Sequence, residues 1–272
     1  MSVRGVAVAG AMVLAVVGIT GCGKGDGAKE SGTGKVSDKR TAGSAGSKAK
    51  QPKQPAQAAN GVAQLTPKEI LTKAEDALEK APSWHLVSEG GTNKIDFSVD
   101  AQDNCRGSRS DEGEQMEFIQ QRDTIYAKPQ AGFYQGHFED KAAQAQQFVG
   151  DRYVKTTSGD IEFAAIFCVR NMLSASLLSE DAIEASNMNN SGETDINGVR
   201  ALRLTGTLAG APTTVYVATA GDPYPVLIES EEEGQKVRMS FSDFGKPLPT
   251  DTPPIENTVD ARELRKAIGI SS

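Results

Sequence analysis

Ile95-Asp96-Phe97-Ser98-Val99-Asp100-Ala101 decides the fold: four apolar residues alternate with Asp96, Ser98 and Asp100, and Lys94 precedes them. A period of two with one apolar side marks a half-buried strand, apolar face on the core and polar face in water. The same alternation recurs at Met116 and Phe118 and in the short run Thr124-Ile125-Tyr126-Ala127. Glu89–Asn93 and Ser110–Gly113 carry turn residues between these runs, so this part reads as an antiparallel meander with one wet face. Upstream, Trp84 and Leu86 point one way on a strand that starts at Ser83.

A helix precedes the strands. Thr66-Pro67-Lys68-Glu69 combines a cap, a proline suited to the first helical position and the glutamate of a capping box. Ile70, Leu71, Ala74, Ala77, Leu78 and Ala81 follow at helical spacing until Pro82 stops the run. Residues 129–160 hold aromatic residues among Gln, Ala and Gly, and no regular period. Asp160 to Leu178 has one apolar face, including Cys168, and predicts a second helix capped by Asp160. From Glu193 the alternation returns. Ile196-Asn197-Gly198-Val199 is an Asn-Gly hairpin, and Leu202, Leu204, Val215 and Val217 point inward on either side of a turn expected over Gly206–Pro212. Val226-Leu227-Ile228 and then Val237, Met239 and Phe241 complete the strands, with Glu231-Glu232-Glu233-Gly234 between them. Three adjacent carboxylates on a hairpin tip read as a solvated turn before they read as a cation site. A short helix from Thr258 to Ile268 closes the chain.

The N-terminus sets the compartment. Arg4 is followed by the apolar run Val6–Ile19, and Ile19-Thr20-Gly21 puts a small residue directly before Cys22. That run is shorter than the roughly 20 residues of a spanning helix and has the layout of a secretory signal. Residues 1–21 are thus expected to be removed. Residues 22–63 are nearly all Gly, Ser, Ala, Lys, Gln, Pro and Thr, too polar to offset the entropy of ordering them, and form a tether with a reach of about 35 Å. Residues 64–272 are the folded domain.

Charge follows the same division. The tether has eight basic and three acidic residues, whereas the domain has twenty and thirty-three, a net charge of −13. An acidic domain lacks the basic stripe that nucleic acid requires. The basic tether suits anionic head groups, and equally well serves solubility. Cys105 and Cys168 remain once Cys22 is set aside. They are either two buried thiols or a disulfide, and export favours the disulfide.

No constellation for chemistry stands out. His85 and His137 are 52 positions apart, without His or Cys partners at metal-ligand spacing. There is no G-x-S-x-G elbow, and the alternating glycines 21–27 precede no strand-to-helix turn. No catalytic residue, metal or cofactor is expected.

The signal at Cys22, the helix Lys68–Ala81 followed by Ser83-Trp84-His85, the hairpin Ile196–Val199, and Pro225–Ile228 through Met239-Ser240-Phe241-Ser242-Asp243-Phe244-Gly245-Lys246-Pro247 together resemble actinobacterial envelope lipoproteins of the LppX/LprG type. These are similar in fold to the carriers LolA and LolB. The resemblance implies an α+β fold: a strongly curved antiparallel half-barrel with helices on its concave side. It implies lipidation of Cys22, attachment to the extracytoplasmic face of the cell membrane, and a lipid or lipoglycan ligand, with envelope proteins as the alternative partners. Candidate ligand-lining residues are Ile95, Phe97, Val99, Met116, Phe118, Leu202, Leu204, Val215, Val217 and Met239. Whether these line a space or fill it separates a carrier from a protein-binding module of the same fold.

Overall fold

The computed structural model describes residues 58–157, 170, 177–232 and 234–270. Twelve strands form one sheet: β1 (Ser83–Gly90), β2 (Asn93–Asp100), β3 (Cys105–Asp111), β4 (Glu114–Gln121), β5 (Thr124–Pro129), β6 (Tyr153–Thr157), β7 (Asn187–Ile196), β8 (Val199–Leu208), β9 (Ala211–Ala218), β10 (Pro225–Glu232), β11 (Gln235–Ser242) and β12 (Thr258–Asp260). Their spatial order is β12-β6-β5-β4-β3-β2-β1-β11-β10-β9-β8-β7. The first meander runs outward from β1 and the second runs inward from β7, so that β11 lands beside β1 and joins the two halves. The sheet is curved and does not close. Among the described residues every strand pairing is antiparallel except β12 with β6.

Gly107 explains part of the curvature. It lies opposite Phe97 and Phe118, and a Cβ there would come within 2.1 Å of the Asp96 carbonyl oxygen and 2.5 Å of Phe97 Cβ. No side chain fits so close an approach of two backbones. Gly206 has the same role on β8, where a Cβ would meet the Asn187 carbonyl oxygen at 1.9 Å.

Helix α1 (Pro67–Lys80) starts as its capping box predicts: Glu69 N–H donates to Thr66 Oγ1, and Thr66 N–H donates to Glu69 Oε2 at 2.8 Å. The backbone bond from Thr66, then its hydroxyl, holds the Glu69 carboxyl below its ordinary value. Ile70, Leu71, Ala74 and Leu78 are buried against β7, β9 and β10. The short α4 (Glu180–Glu184) packs beside it. At the other end of the sheet α2 (Ala131–Phe138) rests on β4 and β5, while α3 (Ala142–Val149) packs on α2 and on α5 (Ala261–Ile268).

Several expectations need correcting. Residues 129–160, read as irregular, contain α2, α3 and β6. Helix α2 escapes a periodicity search because it is short and carries Gly132 and Gly136. Those glycines let it lie on the β3–β4 hairpin, where a Cβ at position 132 would sit 2.3 Å from the Gly113 carbonyl oxygen. Strand β3 is almost wholly polar, and it runs through Ser110 into a turn at Glu112-Gly113. The turn expected over Gly206–Pro212 contracts to Ala209-Gly210, both with positive φ. The second meander begins at Asn187, six residues before Glu193. The closing helix begins at Ala261, after β12, with Asp260 as its cap.

Residues just before position 64 contact the sheet. Ala59 bridges to Ala220, Asn60 N–H donates to the Thr219 carbonyl oxygen, and Val62 is buried. The expected second helix over 160–178 lies outside the described residues apart from Arg170, Leu177 and Leu178. Arg170 Nη2 donates to the carbonyl oxygens of Glu79 and Ala81, at the end of α1.

Candidate functional site

The inward face of the sheet is built from rows of side chains that cross it strand by strand. In antiparallel pairing, residues directly opposite each other point to the same side. One row runs Phe241, Leu86, Phe97, Gly107, Phe118, Ala127 and Val154. A second, nearer the ends where β1 begins and β2 finishes, runs Trp84, Val99, Cys105, Gln120 and Ile125. A third lies toward the opposite ends of the strands, where the β1–β2, β3–β4 and β10–β11 hairpins turn. It runs Leu204, Val215, Ile228, Met239, Ser88, Ile95, Arg109 and Met116. Leu202 and Val217 face each other beside it.

All ten ligand-lining candidates therefore share one face, and their burial divides them. Val99, Leu204, Val215 and Val217 are wholly buried, and Phe97, Leu202 and Phe118 nearly so. These fill the interior together with the stripe of α1. Trp84 wedges between Phe97 and Phe241, with ring centroids at 5.6 and 6.0 Å. Toward the hairpin end the cover thins. Met116 and Met239 keep 5% and 8% of their surface, and Ile95 and Val237 are half-buried. The part of this face within reach of a ligand is that end.

Polar groups gather at the same end. Arg109 points inward between Ile95 and Met116, and its Nη2 lies 3.3 Å from Asp111 Oδ2. Thr92 Oγ1 donates to Asp111 Oδ1 at 3.1 Å. Asp111 is directly opposite Glu114, whose Oε2 is 3.5 Å from His137 Nε2. The His137 ring stacks on Phe133 at 4.1 Å, which seats it on α2. The sequence reading missed this cluster because its members lie on an overlooked strand and an overlooked helix. The one available signal was the cation two residues after Gly107, at a position with the inward parity of Cys105.

Four buried polar atoms have no hydrogen-bond partner among the described residues: Trp84 Nε1, Tyr134 Oη, Arg170 Nη1 and Ser230 Oγ. Burial alone pushes the Tyr134 phenol up to about 12. Cys105 is buried at the start of β3 and disulfide-bonded. Cys168 and Cys22 lie outside the described residues.

On the opposite, convex face His85 joins Asp96 through Nε2 at 2.8 Å and Ser242 through Nδ1 at 3.1 Å. These are the residue types of nucleophilic catalysis, but acyl transfer also needs N–H donors aimed at a developing oxyanion. Here the neighbouring strands engage each other in the β2–β1–β11 ladders, on an open sheet face. Among the described residues no group of three His, Cys, Asp or Glu side chains could hold a metal ion, and no helix is long and apolar enough to cross a membrane.

No family model matches the chain, and no curated protein matches it. Among solved structures, LprF from Mycobacterium bovis is similar with a TM-score of 0.50 at 15% identity, over 68% of this chain and 96% of that one. The Mycobacterium tuberculosis lipoprotein LppX gives 0.47 at 18% identity, over 68% and 100%. A LolA-superfamily protein, NE2245 from Nitrosomonas europaea, gives 0.26 at 12% identity, over 68% and 96%. The likeness to LprF, together with the curved open sheet and its helices, establishes the fold.

Proposed function

We propose that this chain, which has the fold of LprF, is a lipid-anchored envelope protein that holds the apolar part of an amphiphile between its sheet and helices. The observation that carries this reading is the gradient along the inward face, from Val99 at 0% exposure to the half-buried Ile95 four residues away on the same strand. Here an apolar face continues to an accessible end, where it is flanked by Met116 and Met239, side chains that repack around varied shapes. Cys22, at the far end of the tether, is the proposed lipid site. Several acyl chains on one residue, at about 0.8 kcal/mol per buried CH₂, hold firmly to a bilayer. Its place is then the extracytoplasmic face of the membrane, and the work proposed there is binding rather than catalysis.

The test is displacement of a fluorescent fatty acid from the detergent-solubilised full chain. Saturable binding that is lost in Ile95→Trp supports the reading. Equal fluorescence with wild type, Ile95→Trp and an unrelated acidic protein would turn attention to a protein-binding role.

A further inference from the structure

We propose that the amphiphile held by this protein is a phospholipid with a zwitterionic phosphoethanolamine head, seated on Arg109, Asp111 and Glu114. This rests on the carrier reading above and names its ligand class. Among the described residues Arg109 is the one cationic side chain at an inward register position of β1–β5 and β9–β11. It stands between Ile95 and Met116 in a row that is otherwise apolar apart from Ser88, at the end of the face where the cover thins. One register step outward, Asp111 and Glu114 stand directly opposite each other. Like charges directly across a ladder are unfavourable, so such a pair persists where cations answer it. Arg109 answers Asp111 from one side, and His137 Nε2 lies 3.5 Å from Glu114 Oε2 on the other.

All four side chains keep 28–33% of their surface, enough to meet a ligand. Two positions apart on β3, about 6.5–7 Å along the backbone, Arg109 and Asp111 form an ion pair whose cationic and anionic ends lie side by side, so a zwitterionic head would bind by exchanging partners with it. A phosphate on the Arg109 guanidinium gains charge-assisted hydrogen bonds. The ethanolamine arm then carries its ammonium to the carboxylates of Asp111 and Glu114. The acyl chains leave the same point along Ile95, Met116 and Met239. A neutral diacylglycerol leaves both seats unused, and an anionic phosphatidylglycerol puts no cation on the two carboxylates.

The experiment uses the full chain, solubilised from membranes and incubated with vesicles of equal parts phosphatidylethanolamine, phosphatidylglycerol and diacylglycerol with matched acyl chains. Bound lipid is read by native mass spectrometry. The expected result is a preference for phosphatidylethanolamine of about fivefold over each competitor, the scale of one partly exposed ion pair. Arg109→Gln and Glu114→Gln should each cut that preference to about twofold or less. Equal uptake of the three lipids, or a preference for phosphatidylglycerol, would overturn the head-group site and leave the carrier reading standing. No uptake from any vesicle would overturn both.

Discussion

Ile95 and Val99 project from the same face of β2, four residues apart, yet Val99 is completely buried and Ile95 is only half-buried. Enlarging the two should therefore have opposite signatures. Val99→Trp forces an indole into filled space beside Trp84, its partner across β1–β2, and should cost about 1–3 kcal/mol by overpacking. Ile95→Trp should leave the melting temperature within a few degrees and reduce amphiphile binding. Thermal unfolding of both variants, beside a binding titration, checks the pair.

The strands with strict alternation, and helix α1 with its capping box, were legible because their local chemistry agrees with their burial. Strand β3 was not, since Arg106, Ser108 and Ser110 bracket Gly107 and Arg109, and a period of two disappears when the inward positions are themselves Gly and Arg. Helix α2 was hidden for a related reason: its glycines meet the tight approach to the β3–β4 hairpin, a tertiary demand that no local pattern records. Inward orientation of the ten candidates could be read from parity. Which of them are covered depends on helices arriving from distant sequence. The head-group cluster needed both overlooked elements at once, because Arg109, Asp111 and Glu114 come together only through the β3–β4 register, and His137 only through α2.

Tyr134 offers a test of burial. Its hydroxyl is deeply buried without a partner among the described residues, so Tyr134→Phe should be neutral or stabilise the fold by about 1 kcal/mol. The folded phenol titrates near 12, against an ordinary value of 10.0. Between those values the unfolded chain releases a proton that the folded chain keeps, so stability falls as pH rises through that window. Tyr134→Phe should lose this component of alkaline destabilisation. Denaturant titrations from neutral pH to above pH 11 on both proteins measure it.

The proposed bridge from Cys105 to Cys168 would close a loop of about 63 residues and stabilise the fold by roughly 4 kcal/mol on the chain-entropy view. Non-reducing peptide mapping of exported protein should recover the two cysteines in one linked peptide. Cys105→Ser should then lower stability by about 2–4 kcal/mol. Recovery of Cys105 joined to Cys22 would exclude both this pairing and the lipid anchor.

Cys22→Ser should leave the precursor uncleaved or release the protein from the membrane fraction into the medium. Fractionation of cells that produce each form, followed by immunoblotting, reads the outcome. A mutant processed and retained on membranes like the wild type would show that attachment does not depend on Cys22.

Carriage of an amphiphile is tested most directly by native mass spectrometry of the full chain purified under mild conditions from its own membranes. The covalent anchor stays with the polypeptide on collisional activation, whereas a carried lipid leaves as a separate species. The account predicts wild-type protein bearing one such dissociable lipid, and Ile95→Trp folded but largely free of it. Wild-type protein that carries only its covalent anchor, under conditions where a known lipid carrier retains its cargo, would contradict the account.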